Sequence, residues 1–280
     1  MEPATLRRHT QRGTYDFQSA KAVFDDCFIA HVSYVDHGLP QCLPMIALIK
    51  KEEDEDDEDA ETSLSDEDHA DEVDETNLNN VVYLHGHPST RIVELVREAS
   101  RETHNAAHNA QETQSRALDP VKVCITATKV DGLVLSSAPN GHTFNYRSSV
   151  IHGTCTPVKS KTVKRTVMHA VTNHIVANRW EEVSPVASYQ VSLVYVIKVK
   201  IDSFSVKTRT GPPGIQPRNR EVDGPDNETH PWAGVIPMWE QLGEPVDSGL
   251  TPGAEVSENL RGYIDERNER QQAYSKYVAN

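Results

Sequence analysis

Ser89, Thr90 and Arg91 follow directly on Gly86 and Pro88 in residues 81–96, VVYLHGHPSTRIVELV, where an apolar run gives way to a helical pattern. Two hydroxyls and a guanidinium at a strand-to-helix turn are suited to holding an anion, most plausibly a phosphate. The first N–H groups of a helix lack intrahelical partners and the helix dipole is positive there. A guanidinium adds charge-assisted hydrogen bonds. The same residue types recur in NYRSSVI at 145–151, where Arg147 and Ser148 interrupt a strand-like segment and could close on one phosphate from a second direction. Lys207 and Arg209 in SVKTRTGPP form a third cationic pair. The competing reading is an ordinary turn and an ordinary strand, each with a solvent-facing arginine, and no single segment decides between them.

Histidines offer a second chemistry. His85 and His87 lie two apart and could share a face, as a haem or metal site would need; the alternative is a hydrogen-bonded structural role at a strand-to-turn position. His104 and His108 have helical ligand spacing but no supporting carboxylate pattern. Cys27, Cys42, Cys124 and Cys155 are scattered, without the close pairing of zinc or redox motifs, and read as reduced, mostly buried thiols.

The elements that must position these residues are legible from periodicity. Val81, Val82, Tyr83 and Leu84 suit a strand covered on both faces, and Ile92, Leu95, Val96 and Ala99 repeat at the spacing of a helix face. Pro88 fits a helix's first turn. Upstream, Phe17, Ala20, Val23, Phe24 and Cys27 predict a helix over 17–27, and 28–36 and 41–49 predict a hairpin turning at 37–40. Downstream, 121–130 is expected to pair with 133–137 across Asp131 and Gly132, a strong hairpin signal. Residues 143–158 predict a long strand with Gly153 as a bulge or a point of close approach. Val163, Val167, Val171 and Ile175 predict a helix over 160–176, ended by Asn178 in a left-handed conformation. The β-branched run 189–206 predicts a last strand, stopped by GPPG at 211–214. Residues 215–229 read as a polar loop, and 231–239 as an aromatic segment that must pack. A charged helix over 257–277, with Leu260, Tyr263 and Ile264 as its thin apolar edge, reads as an appendage. Regularly spaced strands with tight turns and two packed helices describe a small antiparallel barrel.

The 280 residues suffice for one sizeable domain with appendages, or two small ones. The net charge of −14 is concentrated: residues 52–75 hold sixteen carboxylates and no Lys or Arg, which leaves the remainder at +2. Residues 50–79 cannot bury enough apolar surface to offset their ordering entropy, and a disordered acidic insertion is expected. The near-neutral remainder lacks the basic stripe of a nucleic-acid binder. No apolar stretch is long enough to span a bilayer, and the first residues lack the apolar centre of a secretory signal, so a cytoplasmic protein is expected.

Taken together, RGTYD, HGLPQCLPM, VVYLHGHPSTR, KVCITATKVDGLVL, NYRSSVIHG, NRW, SVKTRTGPP and WAGVIP resemble, in order and spacing, the FMN-binding split-barrel proteins of the pyridoxamine 5′-phosphate oxidase-like superfamily. Within it they are most similar to the flavin-nucleotide-binding branch related to nitroimidazole-resistance reductases. The resemblance spans roughly residues 12–237. It implies a mainly β fold with flanking helices, a six-stranded antiparallel split β-barrel over 12–240 interrupted by the insertion at 50–79, and a tail over 241–280. It also implies a homodimer with FMN in clefts between the subunits. In that frame Ser89, Thr90 and Arg91 fall where the flavin phosphate binds, and Arg147 and Ser148 where a second clamp stands. Lys207 and Arg209 fall near the flavin at the C-terminal end of the last strand. Pro44, Met45 and Ile46 match the strand lying along the isoalloxazine ring, with Tyr83, Leu84 and His85 beside it. Two departures stand out: Met45, Ile46 and Ala47 replace a polar or aromatic residue beside the ring, and no Glu opens the helix near Val163. The implied function is an FMN-dependent reductase or oxidase of a small molecule, with NAD(P)H as a candidate electron donor. A flavin-binding module without turnover and a haem-binding split barrel are the alternatives. The true pyridoxamine-phosphate oxidases carry an arginine, one residue and a histidine at the end of the last strand, where this chain has Ser205 and Lys207, so that activity is not expected.

Overall fold

The computed structural model describes residues 4–53, 79–108, 119–214 and 231–280, with the backbone alone at 102–108. The expected polar loop at 215–229 lies outside the described residues, as do positions 54–78 of the expected insertion. His104 and His108 fall where only the backbone is described.

A short strand β1 (Gly13–Thr14) leads into helix α1 (Phe17–Asp26), whose first turn is capped by Asp16: its carboxylate accepts from Ser19 N–H at 2.8 Å. Strands β2 (Ala30–Asp36) and β3 (Leu39–Met45) pair antiparallel through a turn in which His37 and Gly38 have φ of 49° and 79°. Then come β4 (Ala47–Lys51), β5 (Asn80–Gly86), α2 (Arg91–His108), β6 (Lys122–Leu135), β7 (Thr143–Pro157), α3 (Lys161–Ile175), α4 (Arg179–Glu182), α5 (Ser188–Leu193), β8 (Tyr195–Arg209), β9 (Gly234–Pro237) and α6 (Glu258–Tyr277).

The sheet runs in the order β3-β2-β6-β7-β8-β5-β4, with β1 added to β8 and β9 to β6. Its two ends, β3 and β4, are consecutive in the chain with Ile46 alone between them. Counted as one bent strand they join the edges of the path into a ring of six strands, the split-barrel arrangement. Inside lies a core that includes Val32, Ile49, Val82, Leu84, Ile125, Ile151 and Val199, closed at one side by Phe17 and Phe24 of α1 and by Ile92, Val93 and Val96 of α2. A second cluster forms outside the barrel, where Val81, Tyr83 and Val196 pack under Val163 and Val167 of α3. Strand β5 is therefore covered on both faces, as its uninterrupted apolar run requires.

By contact density the chain divides into two units, one of Met1–Ala127 with Ser149–Val206 and one of Thr128–Ser148 with Lys207–Asn280. The first holds both clusters just described.

Four expectations are corrected. Asp131 and Gly132 do not turn a hairpin between 121–130 and 133–137: both lie inside the continuous strand β6. The buried Asp131 takes Arg147, and Gly132 faces β9, where a Cβ would stand 2.9 Å from Val235 Cγ1. Turn propensity yields to these partners. The run 189–206 is not all strand, because Gln190 Oε1 accepts from Ala187 N–H at 2.8 Å and helix α5 forms before β8 starts. The ordered hairpin reaches further into 50–79 than expected. Strand β4 extends to Lys51, and Glu52 N–H donates to Asn79 C=O at 2.6 Å. The C-terminal helix is no appendage either. Its buried side chains are Arg267, Gln271 and Ser275, spaced four apart. Within the second unit Ser275 Oγ donates to Met238 C=O at 2.7 Å, and Asn268 bonds both the N–H and the C=O of Leu242. The expected aromatic segment contributes β9, paired with β6 from Gly132 to Leu135.

Candidate functional site

In the first unit the strand-to-helix turn is built as the sequence suggests. Thr90 N–H donates to His87 C=O at 2.9 Å and Glu94 N–H to Thr90 C=O at 3.1 Å, which starts α2. His87 Nδ1 stands 2.7 Å from Ser89 Oγ and accepts from Ser89 N–H at 3.2 Å, so this histidine braces the turn. His85, two residues earlier on β5, differs: its Nδ1 is buried and has no hydrogen-bond partner among the described residues. Desolvation pushes its pKa below the ordinary imidazole range.

Gly86 ends β5 close to the approach to β4 and the first turn of α2. A Cβ added there would lie 3.5 Å from Val93 Cγ2, 3.6 Å from Thr90 Oγ1 and 3.7 Å from Met45 Cε. The fold thus gathers Met45 from the bent β3–β4 strand, Gly86 and Thr90 into one place, with Ile46 at the bend itself. Pro44 stands opposite His31 on β2. Tyr83 and Leu84 are 1% and 0% exposed, on opposite faces of β5. Tyr83 Oη accepts from Glu53 N–H at 3.2 Å, and neither side chain reaches solvent.

The arginines have acquired partners that no local pattern announces. Arg91 Nε and Nη2 donate to the two carboxylate oxygens of Asp36, both at 2.9 Å. This fork holds the Asp36 carboxyl below its usual range. In the second unit Arg147 makes the same bidentate pair with Asp131, at 3.0 and 2.8 Å, and its guanidinium lies 4.0 Å from the centre of the Tyr274 ring. Ser148 Oγ donates to Lys207 C=O at 3.3 Å. Arg209, 7% exposed, donates to Asn145 Oδ1 and, at 3.0 Å each, to the carbonyls of Gly211 and Pro212. Asn145 in turn donates to Val278 C=O at 3.0 Å. The structure therefore brings Met45, Gly86 and Thr90 together in the first unit. In the second, Arg147 is held by Asp131, Ser148 bonds the Lys207 carbonyl, and Arg209 is held by Asn145 and two backbone carbonyls.

Asp36, Asp131 and Asn145 are the residues that sequence reasoning missed. They lie 55, 16 and 64 positions from the arginines they hold, and only the register of the sheet brings them there. Among the described residues no group of three or more His, Cys, Asp or Glu side chains could hold a metal ion. Cys124 Sγ lies 4.0 Å from His152 Nε2, but burial raises its pKa, as it raises that of Cys155 to about 12, so neither is an activated thiolate. A cleft of about 450 Å³ elsewhere in the first unit is lined by Glu52, Lys198 and their neighbours, and its opposite charges pair at 2.7 Å.

Residues 108–208 match the sequence model of a family described as pyridoxamine 5′-phosphate oxidase. That match covers little more than a third of the chain. Among solved structures the chain is similar to the flavocytochrome Anf3 from Azotobacter vinelandii, at 21% identity and a TM-score of 0.65, over 94% of this chain and 97% of that one. It is also similar to the FAD and heme binding protein from Mycobacterium smegmatis, at 17% identity and a TM-score of 0.63, over 90% and 97%. Both likenesses are of fold. A comparison with curated proteins found no match.

Proposed function

We propose that this protein binds a flavin nucleotide, FMN on the sequence reading, and acts as an oxidoreductase on a small molecule. The observation that carries the reading is the end of β5, where Met45 Cε and the helix-opening Thr90 Oγ1 both lie within 3.7 Å of the place a Gly86 side chain would take. Met45, Ile46 and Gly86 would line the flavin ring, and the Ser89 and Thr90 hydroxyls, with the positive end of the α2 dipole, would meet its polar end. When bound, the flavin supplies the electron and hydride chemistry; the chain's own residues bind, orient and exclude water. The reading includes a homodimer with the flavin in clefts between subunits and NAD(P)H as electron donor, both following from the superfamily resemblance.

A second reading adds haem. The buried, unpartnered Nδ1 of His85 favours it, and the printed names of the Azotobacter and mycobacterial proteins include a cytochrome and haem binding. The test is to titrate purified protein with FMN, FAD and hemin. Stoichiometric uptake of FMN or FAD per subunit is the expected result, and no uptake of either would end the flavin reading. A Soret band that appears with hemin and is lost in His85→Leu, with flavin uptake retained, would establish the second. Steady-state NADH or NADPH oxidation by the flavin-loaded protein then separates an enzyme from a binding module.

A further inference from the structure

Arg91 is the residue type that a terminal phosphate needs, yet the structure surrounds its guanidinium with three carboxylates. Asp36 occupies the Nε–Nη2 edge with two parallel bonds of 2.9 Å. Nη1 faces Glu94 at 3.4 Å and Glu98 at 3.8 Å. One positive charge meets three negative ones, so the surroundings of Arg91 are anionic despite the helix N-terminus. Asp36 is the innermost of the three, its side chain 15% exposed against 34% and 52% for Glu94 and Glu98.

The arrangement is built into the hairpin. Asp36 closes the β2–β3 ladder opposite Leu39, and the turn through His37 and Gly38, both at positive φ, fixes the end of the strand against the start of α2. A phosphate could take the Arg91 fork only by displacing Asp36. The expelled carboxylate, with Glu94 and Glu98, would then face the incoming negative charge. Bidentate, charge-assisted pairs are the strong ones, and like charges brought together oppose ionisation and binding.

We propose that Asp36 is a specificity-determining residue that closes Arg91 to a phosphate, so that this chain holds its flavin without a terminal-phosphate contact there. The proposal deepens the flavin reading and rests on it for the identity of the ligand. Its core, the refusal of phosphate by Arg91, is tested independently of any flavin.

The experiment uses the full chain as Asp36→Asn, Arg91→Gln and the double variant, with Asp36→Ser as a second substitution should the first fold poorly. Thermal unfolding is followed in inorganic phosphate against chloride of equal ionic strength. The native chain should show no phosphate-specific stabilisation, Asp36→Asn should gain one, and the double variant should lose it. In parallel, FMN and riboflavin affinities are compared. Arg91→Gln should leave the FMN-to-riboflavin ratio unchanged within about twofold, whereas Asp36→Asn should raise it about tenfold or more, the scale of a hydrogen bond to a charged group. The proposal is overturned if Arg91→Gln in the native background weakens FMN much more than riboflavin, or if Asp36→Asn gains no phosphate response. If neither flavin binds any variant the flavin reading fails, and the phosphate arm still decides the role of Asp36.

Discussion

His85 shows how a single buried side chain links fold, pH and ligand. Its Nδ1 is sealed at the end of β5 without a partner, and desolvation lowers its pKa. An imidazole in the unfolded chain takes up a proton at about 6.5, whereas the folded one resists it until a lower pH. The unfolded state therefore binds more protons in that window, and stability present above the unfolded value is lost as pH falls through it. In chemical denaturation of the ligand-free protein between about pH 7 and pH 5, the native chain should lose stability more steeply than His85→Gln. Identical slopes would mean that His85 finds a partner or solvent. The strand-to-helix turn at 86–91 was legible because hydroxyls, a proline and an arginine after an apolar run form a local pattern. What occupies Arg91 was not, since nothing about residue 36 in the sequence points to residue 91. An arginine advertises its charge but not its counter-ion.

Elements followed the same rule, in that what depends on neighbours in sequence was readable and what depends on neighbours in space was not. The three-and-four spacing of α1 and α3 and the covered strand β5 express local periodicity, and the structure contains them. The Asp131–Gly132 step is a turn signal that tertiary partners override. Helix α6 hid its docking face because that face is polar, with Arg267, Gln271 and Ser275 inside, so a search for an apolar stripe finds only the thin edge of Leu260, Tyr263 and Ile264. Two glycines separate the roles that sequence alone leaves mixed. At Gly153 in β7 a Cβ would collide with the Lys200 carbonyl oxygen and stand 2.6 Å from Val199 Cγ1, which fixes the close approach of β7 to β8. At Gly262, inside α6, nothing lies within 4 Å. Gly153→Ala should destabilise by roughly 1–3 kcal/mol or more through overpacking against backbone. Gly262→Ala should stabilise by roughly 0.5–1 kcal/mol through helix propensity. Equilibrium unfolding of both variants reads the contrast, and a harmless Gly153→Ala would show that the two strands can part.

At the scale of the molecule, the barrel closes through β3 and β4 and the chain re-enters it at β5, so the ends of the acidic run are held whatever lies between them. Glu52 N–H bonds Asn79 C=O, the Glu52 carboxylate pairs with Lys198 at 2.7 Å, and Glu53 N–H meets the Tyr83 hydroxyl. Replacing residues 54–78 by a short Gly-Ser link should move the melting midpoint less than Gly153→Ala does, because closure entropy changes by only about 0.6 kcal/mol per doubling of loop length; a large fall would show that the run packs on the fold. The far end of β8 decides a broader question, whether the match at 108–208 to a family described as pyridoxamine 5′-phosphate oxidase brings that oxidase activity with it. Where the oxidases resembled here carry an arginine, one residue and a histidine, this chain has Ser205 and Lys207. Ser205 is 4% exposed, and Arg209 is held by Asn145 and two backbone carbonyls. A buried hydroxyl cannot supply the permanent, bidentate charge of a guanidinium. A lysine is a compact point charge without the ring nitrogens that a histidine offers. A site that lacks the polar partners of a substrate discriminates against it by orders of magnitude. Flavin-loaded protein mixed with pyridoxamine 5′-phosphate in air should therefore form no more aldehyde than free flavin does. Saturable production of pyridoxal 5′-phosphate would overturn this, and would require the substrate to be held by residues other than those at the end of β8.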